Sequence, residues 1–210
     1  ACNFRGNWAH GDDGGGAFLD GVGLSFDRCE FSLNSAGELG GGAAVRNATG
    51  TPSFDDCSFD GNVAGESGGA LSFDAVNVVL IGNSMRGNES LGRGGALYVA
   101  NAPHVQIEGN ELIGNSAGTL GGGMFLAAQG GWIRRCTTSE NSAGLGGGGA
   151  YLVEYSTPAL DSCIFWGDSP DEVRVEVTPG AISGNKVSAV TFPDSVRYSC
   201  VQGGWPVGQG

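Results

Sequence analysis

Few residues in this chain could do chemistry, and their spacing narrows what that chemistry would be. Asp12 and Asp13 are consecutive acids in a glycine-rich turn, two residues beyond His10. Paired carboxylates beside an imidazole are minimal equipment for general acid–base cleavage, and the same trio could hold a metal ion loosely. Consecutive acids on such a turn equally describe a solvated tip. Asp27 and Asp55 make a second pair, 28 residues apart. If they stack they repel, unless water screens them or a cation such as calcium bridges them. His104 lies between Pro103 and Val105, so far along the chain from His10 that the two histidines cannot share a metal or a triad. Gly146, Gly147, Gly148 and Gly149 open no helix, which removes a phosphate-cradling loop.

Composition bounds the scaffold that must carry these residues. The chain has 210 residues, 41 of them glycine, with 10 Lys+Arg against 22 Asp+Glu and a formal net charge of −12. Glycine does not fall at every third position, so a collagen helix is excluded. A disordered linker is excluded as well, because 40% of the residues are hydrophobic, including ten Phe, and can bury a core. The acidic balance, with Lys186 as the single lysine, argues against nucleic acid or an anionic membrane as partner. No apolar run is long enough to span a bilayer as a helix. The chain opens at Ala1-Cys2-Asn3-Phe4, and the expectation is a piece of something longer or already processed.

An internal repeat organises the rest. Cys2, Cys29, Cys57, Asn83, Asn110, Cys136 and Cys163 begin equivalent segments at intervals of 27, 28, 26, 27, 26 and 27 residues. A second polar column follows in step as Asn7, Asn34, Asn62, Asn88, Asn115, Asn141 and Asp168. Between the two runs a mostly apolar column of Phe4, Phe31, Phe59, Met85, Leu112, Thr138 and Phe165. Another apolar column precedes each start: Phe26, Phe54, Leu80, Ile107, Ile133 and Leu160. Gly-Gly-Ala or its variant marks each unit, from Gly15-Gly16-Ala17 to Gly148-Gly149-Ala150.

Units this short cannot close a core of their own, and apolar runs of three to five residues with period-2 character read as strands. Stacked one strand spacing apart, about 4.8 Å, they form parallel sheets along a solenoid. The predicted fold is all-β: a right-handed parallel β-helix of about seven coils of 26–28 residues over 1–168, with an irregular or hairpin cap in 169–210 of the same domain. A calcium-binding β-roll needs GGxGxD, which is absent. The asparagine column marks a turn where short amides bond the local backbone and stack in a ladder. The cysteine column reads as small buried side chains in a ladder position rather than as a disulfide framework, although stacked neighbours fall within disulfide reach.

The FxxN elements (Phe4 to Asn7, Phe31 to Asn34, Phe59 to Asn62) alternating with GGA-apolar elements (Gly15 to Phe18, Gly68 to Leu71, Gly94 to Leu97) resemble the repeats of chlamydial polymorphic membrane proteins, which are autotransporter-passenger-like. More broadly they resemble right-handed β-helix repeats of large secreted or surface proteins of environmental bacteria. In that group the last coil reads like Phe165-Trp166-Gly167-Asp168-Ser169-Pro170-Asp171-Glu172 and closes with a segment like Tyr198 to Pro206. The resemblance implies the fold and an extracellular or bacterial cell-surface setting, and implies no reaction. Asp12-Asp13 also resembles the double-Asp element of polygalacturonases, but the companion Asn-Thr-Asp, Gly-His-Gly and Arg-Ile-Lys elements have no match.

The expectation is therefore a non-catalytic extracellular solenoid acting in adhesion, scaffolding or self-assembly, with a protein or glycan at a surface as partner and no resident cofactor. A polysaccharide lyase or hydrolase of the pectate-lyase-like class and a self-stacking fibre subunit are the alternatives. Self-association could run through an uncapped first coil or through an apolar strip on the strand after Gly-Gly-Ala. In that strand Ala17/Leu19, Ala43/Val45, Ala96/Tyr98 and Ala150/Leu152 alternate with Phe18, Leu71/Phe73, Leu97/Val99, Phe125 and Tyr151/Val153. Which set faces the core, and whether the following turn covers the other, stays open at this point.

Overall fold

The computed structural model describes residues 1–153, 158–176 and 200–202. Every paired strand in it runs parallel to its neighbour, and the strands fall into four sheets. The second coil shows the pattern: Glu30–Ser32, Ser35–Ala36, Ala43–Thr49 and Ser53–Asp55, after which Ser58–Asp60 returns to the first sheet. Called A to D in that order, the sheets hold eight, six, seven and six strands. Sheets B and D thus count six complete turns, and sheets A and C continue past them. Val173–Val175 joins sheet C beside Ala150–Leu152. The expected cap lies for the most part in 177–199 and 203–210, outside the described residues.

Repetition at one strand spacing makes the core a set of stacks. Phe4, Phe31 and Phe59 are register partners whose rings lie 4.6 and 4.8 Å apart and nearly parallel. Phe26 and Phe54 stack likewise at 4.8 Å, and Phe31 meets Phe54 across the core at 6.0 Å with the rings inclined at 62°. Offset parallel stacking along the axis combined with inclined contacts across it satisfies the ring quadrupoles in both directions. Met85 and Leu112 continue the Phe31 column, fully buried.

Two of the corners share one device. The residue before each member of the asparagine column has positive φ: Gly6, Leu33, Gly61, Gly87, Gly114, Glu140 and Gly167, from 55° to 72°. The residue before each later member of the cysteine/asparagine column does the same: Arg28, Asp56, Gly82, Gly109, Arg135 and Ser162. A single left-handed residue swings the chain between sheets, which is why glycine recurs there.

Sheet C corrects the sequence alignment. The positive-φ glycines Gly14, Gly40, Gly68, Gly94, Gly121 and Gly147 set the register. Ala70 and Ala96 therefore stand where other coils have the second glycine after that point, and Leu71 and Leu97 pair in line with Ala43 and Met124. Ala17, Ala43, Leu71, Leu97, Met124 and Ala150 point inward together with Leu19, Val45, Phe73, Val99, Leu126 and Leu152. The outward column is Phe18, Ala44, Ser72, Tyr98, Phe125, Tyr151 and Arg174, so Tyr98 belongs with Phe125 and not with Ala17. The turn before each strand, not the one after it, lies over this column. A Cβ on Gly40 would sit 2.8 Å from the Ala44 Cβ, and one on Gly68 3.0 Å from the Ser72 Cβ. Ala44, Ser72 and Phe125 are accordingly buried while Phe18 is 45% exposed, so no continuous apolar strip faces solvent.

Leu33 holds φ of +55° with its side chain more than half exposed, so it bears left-handed strain with little burial in return. Asparagine tolerates this conformation. Leu33→Asn is expected to stabilise the fold by about 1 kcal/mol, read as a higher urea midpoint at unchanged slope.

Candidate functional site

The acidic turn is built into the scaffold. Asp13 is buried; its Oδ1 accepts the Leu39 N–H at 3.0 Å and its Oδ2 accepts from Arg46 at 3.0 Å. A carboxylate held on both oxygens by the next coil is an anchor between coils. Asp12 is exposed and contributes its carbonyl to the Glu38 N–H. His10 lies against the Trp8 ring, centroids 3.8 Å apart. Tertiary structure therefore leaves these three adjacent in sequence but separates their duties.

Asp27 and Asp55 do stack as register partners. Asp27 accepts from Arg28 Nε and Nη2 at 2.9 and 2.7 Å, while Asp55 accepts from Ser53 Oγ at 2.9 Å. Arg28 supplies a counter-charge to Asp27. Among the described residues no three His, Cys, Asp or Glu side chains converge to hold a metal ion.

The polar columns are where chemistry is concentrated, and it is structural. Asn62 shows the unit: its Oδ1 accepts the Asn34 N–H and Nδ2–H at 3.0 and 2.9 Å. Its own Nδ2 donates to Asn88 Oδ1 and to the Phe31 carbonyl, both at 2.9 Å. Two donors and two acceptor sites are all used, which is the condition for burying an amide. Asn34, Asn62, Asn88, Asn115 and Asn141 repeat these contacts and are each no more than 1% exposed. Asn7 begins the ladder by donating to Asn34 Oδ1.

Along the ladder each amide donates to the Oδ1 of its counterpart in the next coil, so the last member must accept from Asn141. Asp168 does so: Oδ1 takes the Asn141 N–H and Nδ2–H at 2.8 and 2.7 Å. Its Oδ2 takes the Thr138 Oγ1–H at 2.8 Å. That contact explains the one hydroxyl in the Phe-type core column. Where earlier asparagines donate to a backbone carbonyl, an aspartate cannot, and Thr138 reverses the bond. Gly149 is required beside them, since a Cβ there would fall 2.5 Å from Asp168 Oδ2. Glu172 closes the end by accepting the Gly167 and Asp168 N–H groups, each at 3.1 Å. Burial pushes the Asp168 carboxyl up to about 6.

The other corner substitutes sulfur for amide. Cys2 and Cys29 N–H groups donate to the Sγ of Cys29 and Cys57 at 3.2 and 3.4 Å. Cys57 N–H then donates to Asn83 Oδ1, and Asn83 to Asn110 Oδ1, all at 2.9 Å. The thiols of Cys29, Cys57, Cys136 and Cys163 each bond a carbonyl two residues back, as in Cys57 to Asp55 and Cys136 to Arg134, both at 3.3 Å. Cys29, Cys57, Cys136 and Cys163 are buried. Burial pushes the Cys57 thiol up to about 11, which removes it as a nucleophile at neutral pH. Donation to Cys163, reinforced by burial, raises Cys136 well above the usual thiol range.

One outward-facing feature depends on register, and the sequence pattern divides it between the two faces. Tyr98, Phe125 and Tyr151 stack on the outside of sheet C with centroids 5.4 and 5.5 Å apart. The Arg93 guanidinium lies 5.1 Å over Phe125. An open groove of about 630 Å³ runs along the overlying turns, lined by Leu39, Glu66, Arg93, Tyr98, Leu120 and Leu145 among others. A correct alignment of the positive-φ glycines would have exposed the aromatic column.

Four parallel sheets, two polar ladders and a stacked core define a right-handed β-helix. Consistent with this, the family described as right handed beta helix region matches residues 1–127, and the chain belongs to it. Comparison with curated proteins and with solved structures gave no match.

Removing one rung leaves several buried groups unsatisfied. Asn88→Ala would orphan the Asn62 N–H and Nδ2–H, the Phe59 carbonyl and one acceptor site of Asn115. A loss of about 4 kcal/mol or more in denaturant-unfolding free energy is expected. Asp168 should also make stability pH-dependent. Its folded value is raised, so its contribution is fully present below about pH 3.8 and is lost as pH rises through about 6. The difference amounts to about 3 kcal/mol. Asp168→Asn is expected to lose this component, so that variant minus wild-type melting temperature rises between pH 4 and 7.

Proposed function

We propose that this chain is a non-catalytic β-solenoid of an extracellular or bacterial cell-surface protein, serving adhesion or scaffolding by presenting a rigid repetitive surface. One observation carries the reading: Asp13, the acid best placed by sequence for hydrolysis, is buried with both oxygens occupied by Leu39 and Arg46. Glycosidases of either stereochemistry place two acids on opposite sides of the bond, and with Asp13 engaged only Asp12 of this pair stands exposed. The resemblance of the FxxN and GGA-apolar elements to chlamydial polymorphic membrane protein repeats supports the surface setting. So does an acidic exterior, which keeps a rigid rod soluble and disfavours nonspecific anionic partners.

Incubation with polygalacturonate, followed for new reducing ends and for unsaturated uronate absorbance, tests the assignment. No product above the buffer control is expected, with or without calcium. Asp13→Asn is expected to lower the unfolding free energy by about 1–2 kcal/mol through its lost charged contact and cause no other change. Product formation abolished by Asp12→Asn or Asp13→Asn would replace this reading with that of a polysaccharide-cleaving enzyme.

A further inference from the structure

The turns between sheets B and C stack into a ridge beside the outward aromatic column. Leu39 bridges Ser67, Arg93 bridges Leu120, and Leu120 bridges Gly146. Along the axis this row presents an apolar group, a small one, a cation and an apolar group at successive coils. The groove beside it extends from Leu39 to Leu145, four coil steps, or about 19 Å at the spacing of paired strands. An extended peptide rises about 3.3 Å per residue, so roughly six residues span it.

Charge identifies the centre. Arg28, Arg46, Arg86, Arg134, Arg135 and Arg174 each lie within 4.0 Å of a carboxylate. Among the described residues Arg5 and Arg93 have no such partner; of the two, Arg93 lines the groove, where it lies over Phe125 and shares the lining with Glu66. In a chain of net charge −12, a fixed guanidinium left unpaired in a groove is complementary to an incoming carboxylate. The surroundings favour apolar side chains over sugar hydroxyls. Leu39, Leu91, Leu120 and Leu145 line the groove. Two of its hydroxyls already serve the backbone: Ser67 Oγ accepts the Arg93 backbone N–H at 3.2 Å, and Thr119 Oγ1 donates to the Gly92 carbonyl at 2.9 Å.

We propose that this groove binds an extended polypeptide segment whose carboxylate pairs with Arg93 while flanking apolar side chains settle against Leu39 and Leu120. The inference deepens the adhesion reading by naming its partner class and rests on that reading. The two fail separately, since glycan turnover bears on the reading and Arg93-dependent binding bears on the groove.

The test uses the full chain and a set of blocked, fluorescently labelled hexapeptides with Leu, Ile or Val at positions one and five, serine at the even positions, and Asp, Asn or Lys at position three. Anisotropy titration is expected to show binding by Asp peptides, at least tenfold weaker with their Asn counterparts and absent with Lys. Arg93→Gln should weaken the Asp peptides at least tenfold, Arg93→Lys less, and Arg5→Gln not at all. Melting temperatures of the variants should match wild type, which separates loss of contact from loss of fold. The proposal is overturned if no Asp peptide binds, or if Arg93→Gln binds as wild type does. It is also overturned if trigalacturonate binds in an Arg93-dependent way where peptides do not, or if Arg93 instead drives self-association in light scattering.

Discussion

Everything in this molecule answers to one constraint: each residue lies one strand spacing from its own counterpart in the next coil. A side chain that recurs at one position must be complementary to a copy of itself or be relieved by a neighbour. The carboxamide meets that condition better than any other polar group, because it carries donors and acceptors on one short rigid plane. Asn34 to Asn141 therefore pass hydrogen bonds from coil to coil with none left over. A phenyl ring meets it by offset stacking, as Phe4, Phe31 and Phe59 do. A carboxylate does not meet it, and buried carboxylates appear where translation is broken. Asp168 ends the ladder, and Asp13 sits in a first turn that differs from the turns above it.

The same constraint explains how the chemistry-bearing residues are held. Asp13 holds the neighbouring coil through a backbone amide and Arg46. Stacked Asp27 and Asp55 are relieved by an arginine and a serine from their own strands and corners. Thiols take the place of amides in the second column, where they both accept from backbone N–H and donate to carbonyls. In each case a group with catalytic potential is consumed by cohesion between coils. Where the turns protrude the side chains differ from coil to coil, as Leu39, Ser67, Arg93 and Leu120 do.

Much of the ladder could be read from spacing, since the periodic asparagines and the phenylalanine column occupy positions where only one physical role fits. What the spacing could not disclose was the terminus. Thr138 looked like a lapse in an apolar column, and Glu172 like part of a terminal coil. Their roles follow only once Asp168 is seen to accept where its predecessors donate. Sheet C was misread for a related reason. Gly-Gly-Ala is a good marker of the turn, but alanine fits either of two successive positions in it. The left-handed glycine ahead of the motif is what holds register, and sequence does not display φ.

Periodicity alone determined that the chain is a parallel solenoid of coils near 27 residues, that phenylalanine and leucine fill it, and that asparagine turns its corners. These are properties of repetition, and repetition is visible in one dimension. Tertiary structure alone decided which acids are anchors, how the ladder stops, which aromatic rings share an outer face, and where an arginine is left without a carboxylate. The anchoring of Asp13 and the ending of the ladder at Asp168 depend on contacts between coils at offsets of 26 to 33 residues. A one-residue slip in a strand exchanges its inner and outer faces, so only the paired backbone can settle them.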